Sequence, residues 1–223
     1  MEFNNSHWYT VMGSEEPAKD LGSLLRNEML PEISALAESL RNTEQPPDYH
    51  PEGNAWEHTI QTLDWGAKIA ERENLSCLDR QVLMLACLCH DLGKITTQVI
   101  RKGRITFYGH GQQGVMPTRD LLEKIGIAAT HIQVIENMVA EHFSPIFFFK
   151  TENVGDEAIL GFIERLKSAE VSLLVLLSEA DQRARGDYRD PLVWDDETFL
   201  PSQYLLGRVK ALYSDETTCT AII

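Results

Sequence analysis

A histidine stands directly before an aspartate in the stretch 88–94 (LCHDLGK), at the end of an apolar run. Adjacent side chains near a helix end point about 100° apart around the axis, so His90 and Asp91 could hold one cation from two sides. Burying both groups is costly unless their charge is compensated, which a metal ion would do. Taken alone, the pair is more typical of a capped helix end, with Gly93 ending the helix in a left-handed conformation.

Other imidazole and carboxylate side chains lie on or beside segments with helical periodicity. Such ligands suit a borderline or hard divalent cation, and the absence of cysteine from the set argues against a structural zinc site. A bridging carboxylate flanked by histidines would hold two ions, clamp a phosphoryl group and generate a hydroxide nucleophile near neutral pH. The six candidate metal ligands are His58, His90, Asp91, His110, His142 and Asp181.

The elements that position these residues are predicted to be helices. Apolar residues recur at helical spacing over 18–40, and their interruption by Pro31 predicts two short helices. Asn54 is a candidate N-cap for a helix that runs from 55 to about 73. Asp79 is the candidate cap of the following helix, which ends at the His-Asp pair.

The pattern farther along the chain also favours helices. An exposed excursion predicts a small β-hairpin within 99–108. Thr130 is expected to cap the helix that carries His142, and the aromatic residues 147–149 are expected to form a turn. Further helices are predicted over 112–124, 155–166, 169–184 and 202–213.

One mainly helical, all-α domain accounts for most of the chain. An N-terminal lead is expected over residues 1–47. Its first part, residues 1–16, shows no periodicity and is predicted to be irregular. A polar, proline-bearing connection precedes the domain, which is expected over 48–214, and residues 215–223 are expected to be a flexible tail.

Composition limits the class of protein. The chain has 223 residues, 43% hydrophobic and 24% charged, as in ordinary globular domains. Its richest apolar stretch, 171–177, is too short to span a bilayer, and its first residues lack the basic and apolar regions of a secretory signal. A cytoplasmic location with no membrane partner is therefore expected. The four cysteines lack Cys-x-x-Cys spacing and are expected to be reduced core thiols.

Net charge bears on the partner. A formal charge of −14 disfavours nonspecific binding to a phosphate backbone, so a nucleic-acid partner would need a local basic patch. Solvated surface charge is the simpler interpretation for most of the basic residues near the proposed ligands. These residues are Lys94, Arg101, Lys102 and Arg104, and then Arg183, Arg185 and Arg189.

The ordered motifs resemble the HD phosphohydrolase superfamily, whose signature is H…HD…H…H…D on a helical bundle. The resemblance covers about residues 48–190 and is strongest to the HD domain attached to bacterial CCA-adding tRNA nucleotidyltransferases. The fifty residues before it are too few for a nucleotidyltransferase domain, so a free-standing phosphohydrolase is expected. The motifs are WEHT at 56–59, LCHDLGK at 88–94, GHG at 109–111, VAEH at 139–142 and SEADQR at 178–183.

The resemblance implies roles for individual residues. His58, His90, Asp91 and Asp181 would hold one metal, and His110 with His142 a second, with Asp91 bridging. Asp91 and Lys94 are then the candidate catalytic residues, and Lys94, Arg183 and Arg185 would bind substrate phosphate. Outside the signature, His131 is more typical of a surface or packing residue, whereas His50 fits a structural role and a place at the pocket border equally.

The expected activity is metal-dependent hydrolysis of phosphomonoesters or phosphodiesters, including cyclic nucleotides and phosphate termini. The partner would be a small phosphorylated substrate, a nucleotide above all, while the net charge disfavours an RNA terminus. The cofactor would be a divalent metal, two ions of Mn, Ni, Fe, Co, Zn or Mg. A mixed-valent di-iron oxygenase and a non-catalytic nucleotide-binding module stay open as alternatives, and the sequence carries no signal of oligomeric state.

Overall fold

The computed structural model describes residues 1, 3–166 and 169–213, and over them the protein is an all-α bundle. The predicted tail at 215–223 lies outside the described residues. The helices are α1 (Ser6–Gly13), α2 (Pro17–Arg26), α3 (Pro31–Arg41), α4 (Ala55–Arg72), α5 (Cys77–Cys89), α6 (Lys94–Thr97), α7 (His110–Lys124), α8 (Ala129–Glu141), α9 (Ser144–Lys150), α10 (Asp156–Leu166), α11 (Val171–Arg183) and α12 (Leu200–Tyr213).

Short strands occur in two antiparallel hairpins. The first pairs β1 (Val99–Arg101) with β2 (Arg104–Thr106), which confirms the hairpin predicted within 99–108. Its two-residue turn has positive φ at Lys102 (49°) and Gly103 (75°), as a tight hairpin requires. The second, β3 (Trp194–Asp195) with β4 (Thr198–Phe199), was not predicted because strands of two residues leave no alternation to detect.

The core lies between α4, α5, α8 and α11. From Val82 onward helix α5 is apolar on all sides because α4, α8 and α11 pack around it, and Leu83, Leu85 and Cys87 are each 0% exposed. Helix α11 adds Leu174 and Leu177, which lie about two turns and one turn before Asp181. Among the described helices, none is both long enough and apolar enough to cross a bilayer.

The N-terminal segment is more ordered than its sequence predicts. The prediction of an irregular lead over 1–16 is wrong for α1, whose Trp8, Val11 and Met12 form one fully buried face. A helix of eight residues carries only one such group of three apolar residues, which is too few to reveal a helical period in the sequence. Helix α1 packs on α5, and α2 and α3 pack on α4, while the domain boundary at residue 48 stays a prediction.

Two helix starts differ from the predicted caps. Asn54 caps α4 as predicted, because its Oδ1 accepts from the Glu57 amide at 3.0 Å. Helix α5 is capped instead by Ser76, whose Oγ accepts from the amide of Asp79, so Asp79 lies in the first turn. Helix α8 begins at Ala129 without a side-chain cap, so Thr130 lies inside it.

Two local predictions near the candidate ligands are wrong. Gly93 has φ −69° and ψ −15°, an ordinary right-handed conformation, and so is not a left-handed cap. The aromatic stretch 147–149 lies within α9 rather than in a turn, since Pro145 opens a short helix directly after α8.

Close packing against the backbone of another helix explains the glycine at position 93 better than a left-handed cap does. A Cβ on Gly93 would lie 1.9 Å from the His110 carbonyl oxygen, and one on Gly111 would lie 2.7 Å from the Ala140 carbonyl oxygen. In both cases the opposing atom belongs to the backbone, which cannot rotate away as a flexible side chain can. The two glycines therefore let the start of α7 pack directly against the end of α5 and the end of α8.

Candidate metal centre

Five helices bring their ends together at one buried site. His58 lies in the first turn of α4, His90 and Asp91 directly follow α5, and His110 begins α7. His142 directly follows α8, and Asp181 lies near the end of α11. All six predicted ligands meet here, five of them at most 4% exposed, with the His110 side chain 19% exposed.

Local hydrogen bonds orient three of the four histidines in the same way. The Nδ1 atoms of His90, His110 and His142 lie 2.8, 2.9 and 2.7 Å from the carbonyl oxygen three residues earlier. A carbonyl only accepts, so each Nδ1 carries the proton and donates. In the neutral ring, each Nε2 then has a free lone pair directed into the site.

Asp91 lies between two groups of ligands. Its Oδ2 is 3.2 Å from His90 Nε2 and 3.7 Å from His58 Nε2, whereas its Oδ1 is 3.5 Å from His110 Nε2. Its two oxygens therefore face different histidines, which is the geometry a bridging carboxylate needs.

The ligand atoms form two clusters that could each hold an ion. One cluster contains His58, His90 and Asp181, and the other contains Asp91, His110 and His142. Within each cluster the ligand atoms lie within 4.8 Å of one another. The four histidines and Asp181 divide as the sequence resemblance implies, whereas Asp91, expected to bind the first metal and bridge to the second, is grouped with His110 and His142.

Within the part of the chain that the structure describes, the site has buried polar atoms without a hydrogen-bond partner, which a cation would satisfy. His90 Nε2 and Asp91 Oδ1 are buried without a hydrogen-bond partner among the described residues. The Nε2 atoms of His110 and His142 lie 3.0 Å apart, which brings two lone pairs together when both rings are neutral. Nitrogen and oxygen donors of this kind fit a divalent metal ion.

Burial keeps His110 and His142 in the neutral form that binds metals at neutral pH. Desolvation, with the neighbouring His110 and His90, lowers the pKa of His142 to about 3, and desolvation also lowers the pKa of His110. Burial raises the pKa of Asp91, but the charges of His90 and Lys94 outweigh it and hold that pKa well below its usual value. Neutral imidazoles and an ionised carboxylate are the forms that bind metals.

Glu52 orients His58 from the side opposite the ligands. Its Oε1 lies 2.8 Å from His58 Nδ1 and 2.7 Å from His50 Nδ1, and its side chain is 1% exposed. Burial raises the pKa of Glu52, but the hydrogen bonds from His50 and His58 outweigh it and lower the pKa to about 2. Burial lowers the pKa of His58, but its hydrogen bonds with Asp181 and Glu52 outweigh burial and raise that pKa above its usual value. An ionised Glu52 favours a proton on His58 Nδ1, while His58 Nε2 faces the centre and lies 2.9 Å from Asp181 Oδ1, another member of the same cluster.

The site opens into a cavity of about 590 Å³. Lys94 is 6% exposed and lines it, with Nζ 2.7 Å from Asp91 Oδ2 and donating to Gln45 Oε1. The Arg185 guanidinium also lines the cavity, 3.6 Å from Asp181 Oδ2. His50 borders the same cavity.

Arg183, by contrast, has a structural environment. Its guanidinium donates to Glu179 and Glu197 and lies over the rings of Trp65 and Trp194. It is absent from the cavity lining, so its expected role in binding substrate has no geometric support.

Sequence reasoning missed Glu52 and Gln45, which reach the site from the loop before α4. A carboxylate shortly before a helix that carries a candidate ligand can fold back over the first turn, and the His50-Pro51-Glu52 segment offered that signal. Gln45 offered none, because its contact with Lys94 spans 49 positions of sequence.

In this bundle, the ends of several helices carry histidines and aspartates that face one shared carboxylate. This arrangement is typical of one class of metal-binding helical domains. Comparison with known proteins places the chain within that class, since the HD domain model matches residues 55–184. The chain belongs to the HD domain family, whose members are typically metal-dependent hydrolases that bind divalent metals.

The chain is also similar to multifunctional CCA proteins. It is 31% identical over 164 residues to that of Pasteurella multocida (strain Pm70), which covers 72% of this chain and 36% of the relative. It is 29% identical over 178 residues to that of Stenotrophomonas maltophilia (strain K279a), or 79% of this chain and 42% of the relative. The chain thus spans well under half the length of these relatives.

Proposed function

We propose that this protein hydrolyses phosphoester bonds of nucleotides, using divalent metal held by the six residues at the helix ends. The observation that carries the proposal is the position of Asp91, whose two oxygens face separate groups of histidines beneath an open cavity. Two metals sharing one carboxylate are the usual arrangement for displacement at phosphorus.

When bound, the metal would lower the pKa of coordinated water and polarise phosphoryl oxygens. The chain's own residues would hold it: His58, His90 and Asp181 on one side, His110 and His142 on the other, and Asp91 between them. Glu52 keeps His58 in the orientation that a ligand needs.

Lys94 and Arg185 supply positive charge on the cavity side of the centre. The Lys94 ammonium lies against Asp91 and is almost fully buried, so it faces little competition from water. A phosphoryl group at the centre would come within its reach, and the charge that builds on the phosphoryl oxygens would be stabilised there.

Exposed aromatic rings at the cavity support a nucleotide rather than a simple sugar phosphate. Tyr49, Tyr108 and Phe143 line the cavity and are 49%, 72% and 48% exposed. Base–aromatic stacking contributes about 1–3 kcal/mol for each base and accepts any base. A base could therefore stack at the cavity while its phosphate lies at the metal centre.

The test is hydrolysis of phosphomonoesters and 2′,3′-cyclic nucleotides by metal-stripped protein supplied with one divalent metal at a time. Turnover should follow metal addition and vanish in the H90A/D91A double variant. His131→Ala is the matched control, because His131 lies outside both ligand clusters and should leave turnover unchanged. Turnover that persists in the double variant would refute the assignment.

A further inference from the structure

The β1–β2 hairpin forms the wall of a second cleft beside the metal cavity. This cleft, of about 580 Å³, is lined by Arg101, Lys102, Arg104, Thr106 and Tyr108. Thr106 and Tyr108 also line the metal cavity. The two spaces therefore adjoin, and a chain-like ligand whose end lies at the metals could continue along the hairpin.

Three cations are concentrated on this short hairpin although the protein has a net charge of −14. Arg101 and Arg104 are direct register partners across the hairpin, and Lys102 lies in the turn between them. Like charges directly opposite each other destabilise a strand pair. None of the three forms an ion pair with a residue that the structure describes, so their charge is uncompensated within the described chain.

An exposed aromatic ring accompanies the charges. The Arg101 guanidinium lies over the Tyr108 ring, 4.9 Å from its centroid, and Tyr108 is 72% exposed. Cations beside an exposed ring, along a groove, are the features that bind phosphates and unpaired bases of single-stranded nucleic acid. An acidic peptide would use the cations but would leave the ring without a stacking partner.

We infer that the β1–β2 hairpin binds the strand that adjoins a terminal phosphate, so that the substrate is the end of a single-stranded polynucleotide. Arg101, Lys102 and Arg104 contact successive backbone phosphates, and Tyr108 stacks on an unpaired base between them and the metal centre. This inference rests on the proposed function for the reacting phosphate and adds the part of the substrate that the metal cavity does not hold.

The test compares two variants with the same change of net charge. R101Q/K102N/R104Q removes the hairpin cations, and asparagine at 102 tolerates the positive φ of that position. K19Q/R26Q/K210Q removes three exposed cations that line neither cleft nor cavity. Circular dichroism and thermal unfolding would establish that both variants fold.

Binding is measured by fluorescence anisotropy with a labelled single-stranded RNA of about ten nucleotides that carries a terminal phosphate. The hairpin variant should bind at least about tenfold more weakly than wild type at low salt. The slope of log K against log salt should fall by about two, since each phosphate contact on a single strand contributes about 0.7. The control variant should match wild type in both affinity and slope.

Turnover separates this inference from the proposed function. The hairpin variant should lose at least about tenfold in kcat/KM on the oligonucleotide relative to its kcat/KM on a 2′,3′-cyclic mononucleotide. Equal RNA affinity in wild type and the hairpin variant, or no RNA binding by wild type, would overturn the inference. Hairpin-dependent RNA binding without hydrolysis of either substrate would support the hairpin as a binding surface for RNA and overturn the proposed function.

Discussion

At the scale of single residues, the site is built from side chains with one free donor atom each. A backbone carbonyl occupies Nδ1 of His90, His110 and His142, while Glu52 occupies Nδ1 of His58. In every case Nε2 faces the centre, where that of His58 lies 2.9 Å from Asp181 Oδ1. Glu52 is thus a positioning residue, which acts on a metal only through His58.

Replacing Glu52 by Gln tests this role. The variant removes the charge that keeps the His58 proton on Nδ1, and we expect metal affinity to fall by about 10- to 100-fold. Metal titration by calorimetry measures it, with the exposed Glu71→Gln on α4, the helix that carries His58, as control. At saturating metal, activity should largely return, whereas unchanged affinity in E52Q would contradict the role.

Lys94 should act on substrate and not on metal. In Lys94→Met we expect the metal content to stay at the wild-type level while kcat falls by about 100-fold, because charge on the phosphoryl group loses its nearest ammonium. Metal analysis and steady-state kinetics on the same samples provide the measurement. A wild-type kcat in the K94M variant, or loss of its metal, would contradict this role of Lys94.

At the scale of elements, an ion-pair network joins α11 to α4 and thereby places Asp181 opposite His58. Glu179 accepts from Arg72 at 2.7 and 2.8 Å through both oxygens and from Arg183 Nε at 2.8 Å. Glu179 is 4% exposed and Arg183 is 5% exposed, so removing this carboxylate leaves Arg183 with less compensation in a buried place.

Glu179→Gln should therefore lower the free energy of unfolding at pH 7 by about 2 kcal/mol. This is less than the loss of a fully buried ion pair would cost, because Arg72 is half-exposed. Burial raises the pKa of Glu179, but Arg72 and Arg183 outweigh it and lower that pKa below its ordinary 4.5. The stabilisation is therefore present above pH 4.5 and is lost as pH falls through the lowered pKa.

Denaturant unfolding of metal-stripped wild type and E179Q at a series of pH values measures this effect. The difference between them should shrink below pH 4.5. Glu73→Gln, which removes only an exposed partner of Arg72, should change stability by less than about 0.5 kcal/mol. A difference between wild type and E179Q that stays constant with pH would contradict the assignment.

Gly93→Ala tests the close approach of α7. A methyl group 1.9 Å from the His110 carbonyl oxygen forces α7 to move, so we expect a loss of about 3 kcal/mol and weakened metal binding at His110. Gly207→Ala in α12 meets nothing within 4 Å and should stabilise by about 0.5–1 kcal/mol. Equal stability of G93A and wild type would show that the packing is not tight.

The sequence predicted the bundle and the six candidate ligands that meet in it, because both depend on local patterns. Helical spacing located α4, α5 and α11, and the ordered motifs located the six candidates, whose binding of metal stays a prediction. It could not predict contacts made by tertiary packing. Glu52 and Gln45 contact the site only once the loop before α4 folds over it, and Gly93 is required by a carbonyl from another helix. Arg183 resembled a phosphate ligand by its place after Asp181, although Glu179, four residues earlier on the same helix, was a possible ion-pair partner; its other partner, Glu197, comes from the β3–β4 hairpin.

At the scale of the whole molecule, an acidic protein carries one cationic hairpin beside a buried centre of histidines and aspartates. The net charge of −14 repels polyanions in general, so under the proposed function the hairpin, Lys94 and Arg185 would be the places where a phosphate approaches. The chain spans only part of its curated relatives, and the six candidate ligands lie within residues 55–184, the part that matches the family.

The most direct measurement is the metal content and the phosphoesterase activity of the same samples, as metal-stripped protein is titrated with Mn²⁺. Activity should rise with bound metal and reach its maximum near about two ions for each chain, while H90A/D91A should neither bind tightly nor turn over. Full activity without metal, or two ions bound at the centre with no phosphoester hydrolysed, would contradict the account.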